Sequence, residues 1–97
     1  MNYGKRSRLE IYRDILSVVA KGEGTPTRIM CRTNVSWRVL WEITDRFEKE
    51  GLLTIKRNGS RRVIELTSQG REILQNVSAI LSWVKKVEGK GKWVVSV

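Results

Sequence analysis

Residues 52–66 read as two short alternating strands around a tight turn, and few folds accommodate such a stretch directly after an amphipathic helix. Leu52-Leu53-Thr54-Ile55-Lys56-Arg57 is followed by Asn58-Gly59-Ser60, then by Arg61-Arg62-Val63-Ile64-Glu65-Leu66. Asn-Gly accepts φ > 0 at both central positions of a turn, which places the expected bend at Asn58 and Gly59. Lys56, Arg57, Arg61 and Arg62 flank that bend, and no acid is nearer than Glu65. A hairpin facing only solvent would mix its signs. Like charges gathered at a chain reversal suit an anionic partner such as phosphate.

Three helical segments precede the hairpin. Leu9, Ile11, Tyr12, Ile15, Leu16, Val18 and Val19 recur at helical spacing over residues 8–20. Ser7 and Glu10 form a capping-box pair at its start, and Gly22 and Gly24 end it. Thr25 caps a second helix with Pro26 in the first position, where no donor is needed. Ile29 and Met30 turn inward there, Arg28 and Arg32 lie outside, and Cys31 is expected to be a small buried apolar residue. Thr33-Asn34-Val35 is the turn, and Ser36 caps a third helix that Gly51 stops. Leu40, Ile43, Thr44 and Phe47 share one face of that helix. Arg38, Glu42, Asp45 and Lys49 lie opposite, with Trp37 and Trp41 on a flank one turn apart. Its late acids Asp45, Glu48 and Glu50 oppose the helix dipole and leave the N-terminal end open to a polyanion.

After the hairpin, Thr67 caps a fourth helix that tolerates Gly70 in its first turn. Ile73, Val77, Ile80, Val84 and Val87 then recur as a heptad seam, with Leu74 and Leu81 on one shoulder. Three helices and a hairpin are too small to cover it, so self-association through Ile73, Val77, Ile80, Leu81, Val84 and Val87 is expected. The alternative is that the seam lies back across the first helix of its own domain. The tail from Gly89 ends in a strand-like run, Trp93–Val97, expected to dock on the protein or a second subunit. The expected divisions are 1–66, 67–88 and 89–97.

Nineteen Lys+Arg against ten Asp+Glu give a net charge of +9 in 97 residues, enough for one domain. Residues 51–66 carry four cations and one acid, whereas residues 25–50 carry five and four. No apolar run is long enough to span a bilayer, and the basic N-terminus leads into an amphipathic segment unlike a signal-peptide core. The reading is a cytoplasmic, nucleoid-associated protein with no membrane partner. A single Cys31 excludes an internal disulfide. With no histidine there is no common general base or metal ligand. No phosphate-cradling glycine loop occurs, and Glu42 and Asp45 read as solvated surface acids. The chain is therefore expected not to be an enzyme, and to need no cofactor, metal or small-molecule ligand.

Nucleic-acid recognition fits better. The N-terminal turns of a recognition helix can meet base edges in the major groove while the preceding helix crosses the backbone. Ser36, Trp37, Arg38 and Trp41 occupy those turns. Arg38 is placed for a bidentate contact to guanine, or for a solvated pair with Glu42. Trp37 and Trp41 can pack on duplex sugar or a thymine methyl, or against a neighbouring element. Lys56, Arg57, Ser60, Arg61 and Arg62 would serve phosphates or the minor groove, Arg28 is a further candidate DNA contact, and Lys5, Arg6 and Arg8 could form a basic arm.

The runs Thr27-Arg28-Ile29-Met30 through Asn34-Val35-Ser36-Trp37, and Leu66-Thr67-Ser68-Gln69-Gly70-Arg71-Glu72, are similar to those of small archaeal winged-helix proteins. The chain resembles in particular the dimeric DNA-binding proteins of crenarchaeal chromatin, which pair through a C-terminal antiparallel coiled coil; the similarity runs from about Ser7 to Leu74. Trp41 and the Trp93–Val97 tail depart from that pattern. The resemblance implies an archaeal or archaeal-virus source, a homodimer and double-stranded DNA as ligand. The expected fold is mainly α with a small β-hairpin, a winged helix-turn-helix with a long C-terminal dimerisation helix. The expected function is duplex-DNA binding as a transcription regulator or architectural protein. The alternative is a winged-helix protein-interaction module of a larger assembly.

Overall fold

The computed structural model describes residues 6–89. Its order is α1 (Arg8–Ala20), α2 (Pro26–Thr33), α3 (Trp37–Lys49), β1 (Leu53–Asn58), β2 (Arg61–Leu66) and α4 (Ser68–Gly89). Lys5 and the Trp93–Val97 run lie outside the described residues. The expected fold class is observed: three helices, an antiparallel two-stranded wing and a long last helix.

Local chemistry sets most boundaries. The Ser7 hydroxyl accepts the Glu10 amide hydrogen while the Glu10 carboxylate accepts that of Ser7, completing the capping box. The hydrogen bond from the Ser7 backbone holds the Glu10 carboxyl below its ordinary range. Pro26 occupies the start of α2, but the Thr25 hydroxyl makes no capping bond. Asn34 closes α2 in the left-handed region at φ 57°, a conformation asparagine tolerates better than most residues. Ser36 caps α3 through the Val39 amide, and Thr67 caps α4 through that of Gly70.

The core joins Ile11, Ile15, Leu16, Val18 and Val19 of α1 to Ile29, Val39, Leu40 and Phe47, and to Leu53 and Ile64 of the wing. Tyr12 meets Phe47 edge-to-face at 5.2 Å. Thr33 and Thr44 are buried, each donating its hydroxyl to the carbonyl four residues back. Cys31 is exposed, against expectation. On so short a helix Ile29 and Thr33 take the inward face one turn apart, and residue 31 falls on the far side. Arg6 is not part of a free arm. It pairs with Asp14 at 2.7 Å and donates to the Thr33 carbonyl, tying the N-terminal segment to the end of α2.

The turn differs from expectation. Asn58 pairs with Arg61, so Gly59 and Ser60 are the central residues. Gly59 has φ 64°, while Asn34 is the only non-glycine with positive φ among the described residues. That is the pattern of a II′ turn, with glycine first. Cross-strand packing decides it. The observed register sets Leu53 against Leu66 and Ile55 against Ile64, whereas a bend centred on Asn58-Gly59 would set Ile55 against Arg62.

Two glycines fix how the wing sits. The Ile64 amide donates to the Gly24 carbonyl at 2.8 Å, and a side chain at Gly24 would collide with the Ile64 carbonyl. A side chain at Gly70 would collide with the Leu52 carbonyl. Gly24 is thus a backbone partner of β2 more than a helix stop, and Gly70 is a site of close approach. From there α4 runs back along α1: Arg71 borders the crevice of Val19 and Ala20, while Lys85 lies within electrostatic reach of Glu10.

Candidate nucleic-acid interface

The start of α2, the flank of α3 and the wing tip enclose a cleft of about 530 Å³. Thr25 and the first residues of α2, Pro26, Thr27 and Arg28, line it on one side, Trp37 and Trp41 from α3, and Ser60 of the turn with Arg61 and Arg62 at the start of β2. Trp37 meets Trp41 edge-to-face at 5.5 Å and 79°. The Arg62 guanidinium lies 4.8 Å from the centre of the Trp41 ring, a cation–π contact joining wing to helix. The strand register explains how. Arg57 and Arg62 are opposite one another and continue the face that carries Ile55 and Ile64 inward, so beyond the core that face turns cationic. Arg61 lies on the other face, opposite Asn58.

Six of the ten expected contact residues, Arg28, Trp37, Trp41, Ser60, Arg61 and Arg62, therefore line one cleft. The other four do not. Ser36 has its hydroxyl engaged as a helix cap. Arg38 is 81% exposed on the outer face, 3.1 Å from Glu42. Arg57 is exposed near the wing tip but does not line the cleft. Lys56 bonds Glu65 diagonally across the wing at 2.9 Å, which raises its pKa above the ordinary lysine value. The four wing cations are thus not equivalent. Among the described residues no carboxylate pairs with Arg57, Arg61 or Arg62.

Helix spacing finds Arg38–Glu42 because the partners are four apart. It does not find Glu23, which sits between helices and pairs with Arg32 at 3.1 Å and more distantly with Arg28 at 3.7 Å. Nor does it find Thr25 and Thr27 as cleft residues; Pro26 marks the helix start but not what it faces.

The seam on α4 divides. Leu81 is 8% exposed within the single chain and Ile73 and Leu74 pack on the core, while Ile80 is 53% and Trp83 60% exposed. Leu81 falls on the same side of the helix as Leu74 and Gly70, which face inward. Its burial is therefore accounted for within one chain. Val77, Val84 and Val87 are half-buried. Trp83 lies beside the heptad seam, so periodicity alone passes over it.

A winged helix-turn-helix family model matches residues 5–86. A protein of Methanocaldococcus jannaschii, itself uncharacterised, is 33% identical over 73 residues, which cover 75% of this chain and 71% of that one. Among solved structures, Sso10a-2, a DNA-binding protein from Sulfolobus solfataricus, is similar with a TM-score of 0.78 at 23% identity over 88% of both chains. The M. tuberculosis transcriptional regulator MOSR, in complex with DNA, is similar with a TM-score of 0.69 at 23% identity, over 86% of this chain and 64% of that one. These two likenesses speak for the fold, and the archaeal matches agree with the resemblance read from the helix-turn-helix and α4 motifs.

Proposed function

The chain belongs to the winged helix-turn-helix family, and from that premise we propose that it binds double-stranded DNA as a homodimer, as a transcription regulator or architectural protein of the nucleoid. The observation that carries this reading is the cleft, where the indoles of α3 and the Arg61 and Arg62 side chains of the wing converge. Phosphate contacts position such a protein and base contacts give it sequence preference. Arg57, Arg61 and Arg62 are assigned the first role, with Arg28 beside them; Arg38 is assigned the second. The Arg38–Glu42 pair is no obstacle, since an exposed i,i+4 pair is worth only about 0.3–0.5 kcal/mol. Trp41 holds Arg62 in place, and Trp37 stands at the surface. That Sso10a-2 is a DNA-binding protein and that MOSR forms a complex with DNA supports the reading.

Self-association is assigned to α4 (residues 67–88 in the expected division), through the open side that carries Ile80, Trp83, Val84 and Val87. Two exposed apolar side chains one turn apart are a natural seat for a second copy of the same helix. Because Ile80 is exposed in the single chain, Ile80→Lys should fold and yield monomers, the lysine charge being costly to bury between subunits. Sedimentation showing an unchanged dimer would place the interface elsewhere. The broader experiment is a titration of random and selected duplexes at two salt concentrations, with oligomeric state measured in the same samples. Retention on no duplex at low salt would favour the protein-interaction alternative.

A further inference from the structure

We propose that the same cleft accepts an unstacked nucleobase, so that the protein also binds single-stranded nucleic acid. Trp37 is half exposed at the mouth of the cleft, and its edge-to-face contact with Trp41 orients its ring before any ligand arrives. The Trp41 ring is already covered by the Arg62 guanidinium. Trp41 is thus held between Trp37 and Arg62, whereas half of the Trp37 surface remains exposed. Arg28 and Arg61 border the same space and supply charge for a phosphate on the strand that brings the base in.

A duplex makes poor use of this arrangement. Its grooves present base edges and methyl groups, while the faces of the bases are hidden in the stack. A ring face is matched by another ring face only when the base is unpaired. Aromatic side chains set in a cationic groove are how proteins hold single strands without reading their sequence. The cleft, of about 530 Å³ and open to solvent on one side, has room for a base without enclosing it. This inference adds a second mode of binding and does not require the duplex reading to hold.

The test uses the full chain with three labelled probes: oligothymidylate, oligouridylate and a blunt duplex of matched length. Affinities come from anisotropy, and indole contact from quenching of intrinsic fluorescence. We expect at least one single strand to bind and quench, and Trp37→Ala to weaken that binding about ten- to a hundredfold, with a smaller loss on the duplex. Trp37→Phe, which keeps a ring, should restore most of the affinity. Because residue 37 is exposed, both variants should fold, and circular dichroism checks this. Which single strand shows the loss identifies the probe that is accepted, the two differing in both the sugar and the C5 methyl of the base. Equal losses on strand and duplex, or single-strand binding that Trp37→Ala leaves alone, overturn the proposal. Duplex binding with no single-strand binding overturns it too and leaves the duplex reading standing; the converse result removes the duplex reading alone.

Discussion

Each cation on α2 and α3, namely Arg28, Arg32, Arg38, Arg46 and Lys49, has a carboxylate within 3.8 Å. On the wing Lys56 alone has such a partner, and Arg62 leans on an indole instead. The helix-turn-helix is thus nearly neutral within itself, while the hairpin that follows leaves charge unanswered. The late acids of α3, unfavourable to the helix dipole, acquire a purpose in this light. Asp45 and Glu50 pair with Lys49 and Arg46 and keep the back of that helix from adding to the positive field. The difference teaches that net charge is a weak guide to a binding surface, and that the distribution of carboxylate partners is a better one.

The comparison can be broken first at the wing. Arg61→Ala combined with Arg62→Ala should weaken binding to all duplexes alike and lower the log–log salt slope by about one to two units. An unchanged slope would mean that the unpaired arginines do not meet phosphate. Next in size is the paired helix: Arg38→Ala should narrow the gap between a preferred site and random DNA by roughly 1–3 kcal/mol while leaving the salt slope nearly intact. A uniform loss on every sequence would place Arg38 with the wing arginines instead.

A smaller effect is expected at the joint between the two regions. Trp41→Ala removes the ring beneath Arg62 and should weaken duplex binding by about 0.5–1 kcal/mol, with Trp41→Phe recovering part of it. A double-mutant cycle with Arg62→Ala measures whether the two losses are shared. The smallest change sharpens the contrast by extending it. Glu65→Gln frees Lys56, and the salt slope should steepen by up to about one unit. Should the slope stay put, Lys56 is too far from the nucleic acid to matter.

What was legible in the chain was local. Ser7 with Glu10, Pro26, Ser36 and Thr67 announce helix starts because their chemistry acts within three or four residues. The alternating apolar pattern marks both strands. What was not legible depends on segments distant in sequence meeting in space. The turn at Gly59-Ser60 follows from strand register and not from the propensity of Asn-Gly. Gly24 reads in sequence as a helix stop and Gly70 as merely tolerated in the first turn of α4, and only their contacts with Ile64 and Leu52 show why no larger residue fits. The site was half legible. Its arginines and tryptophans stood out by type, but the pairing of Lys56 with Glu65, the seat of Arg62 on Trp41 and the inward turn of Leu81 required the fold.

The Gly24–Ile64 hydrogen bond has a further bearing on how this protein behaves at high concentration. A two-stranded hairpin has two unprotected margins, and an outward-pointing amide is an invitation for another chain to add a strand and begin an aggregate. Here the backbone of the α1–α2 connection takes the Ile64 amide at the base of β2, while like charges repel newcomers near the tip. With the Ile64 amide taken, the base of the β2 margin is a poor template for an added strand.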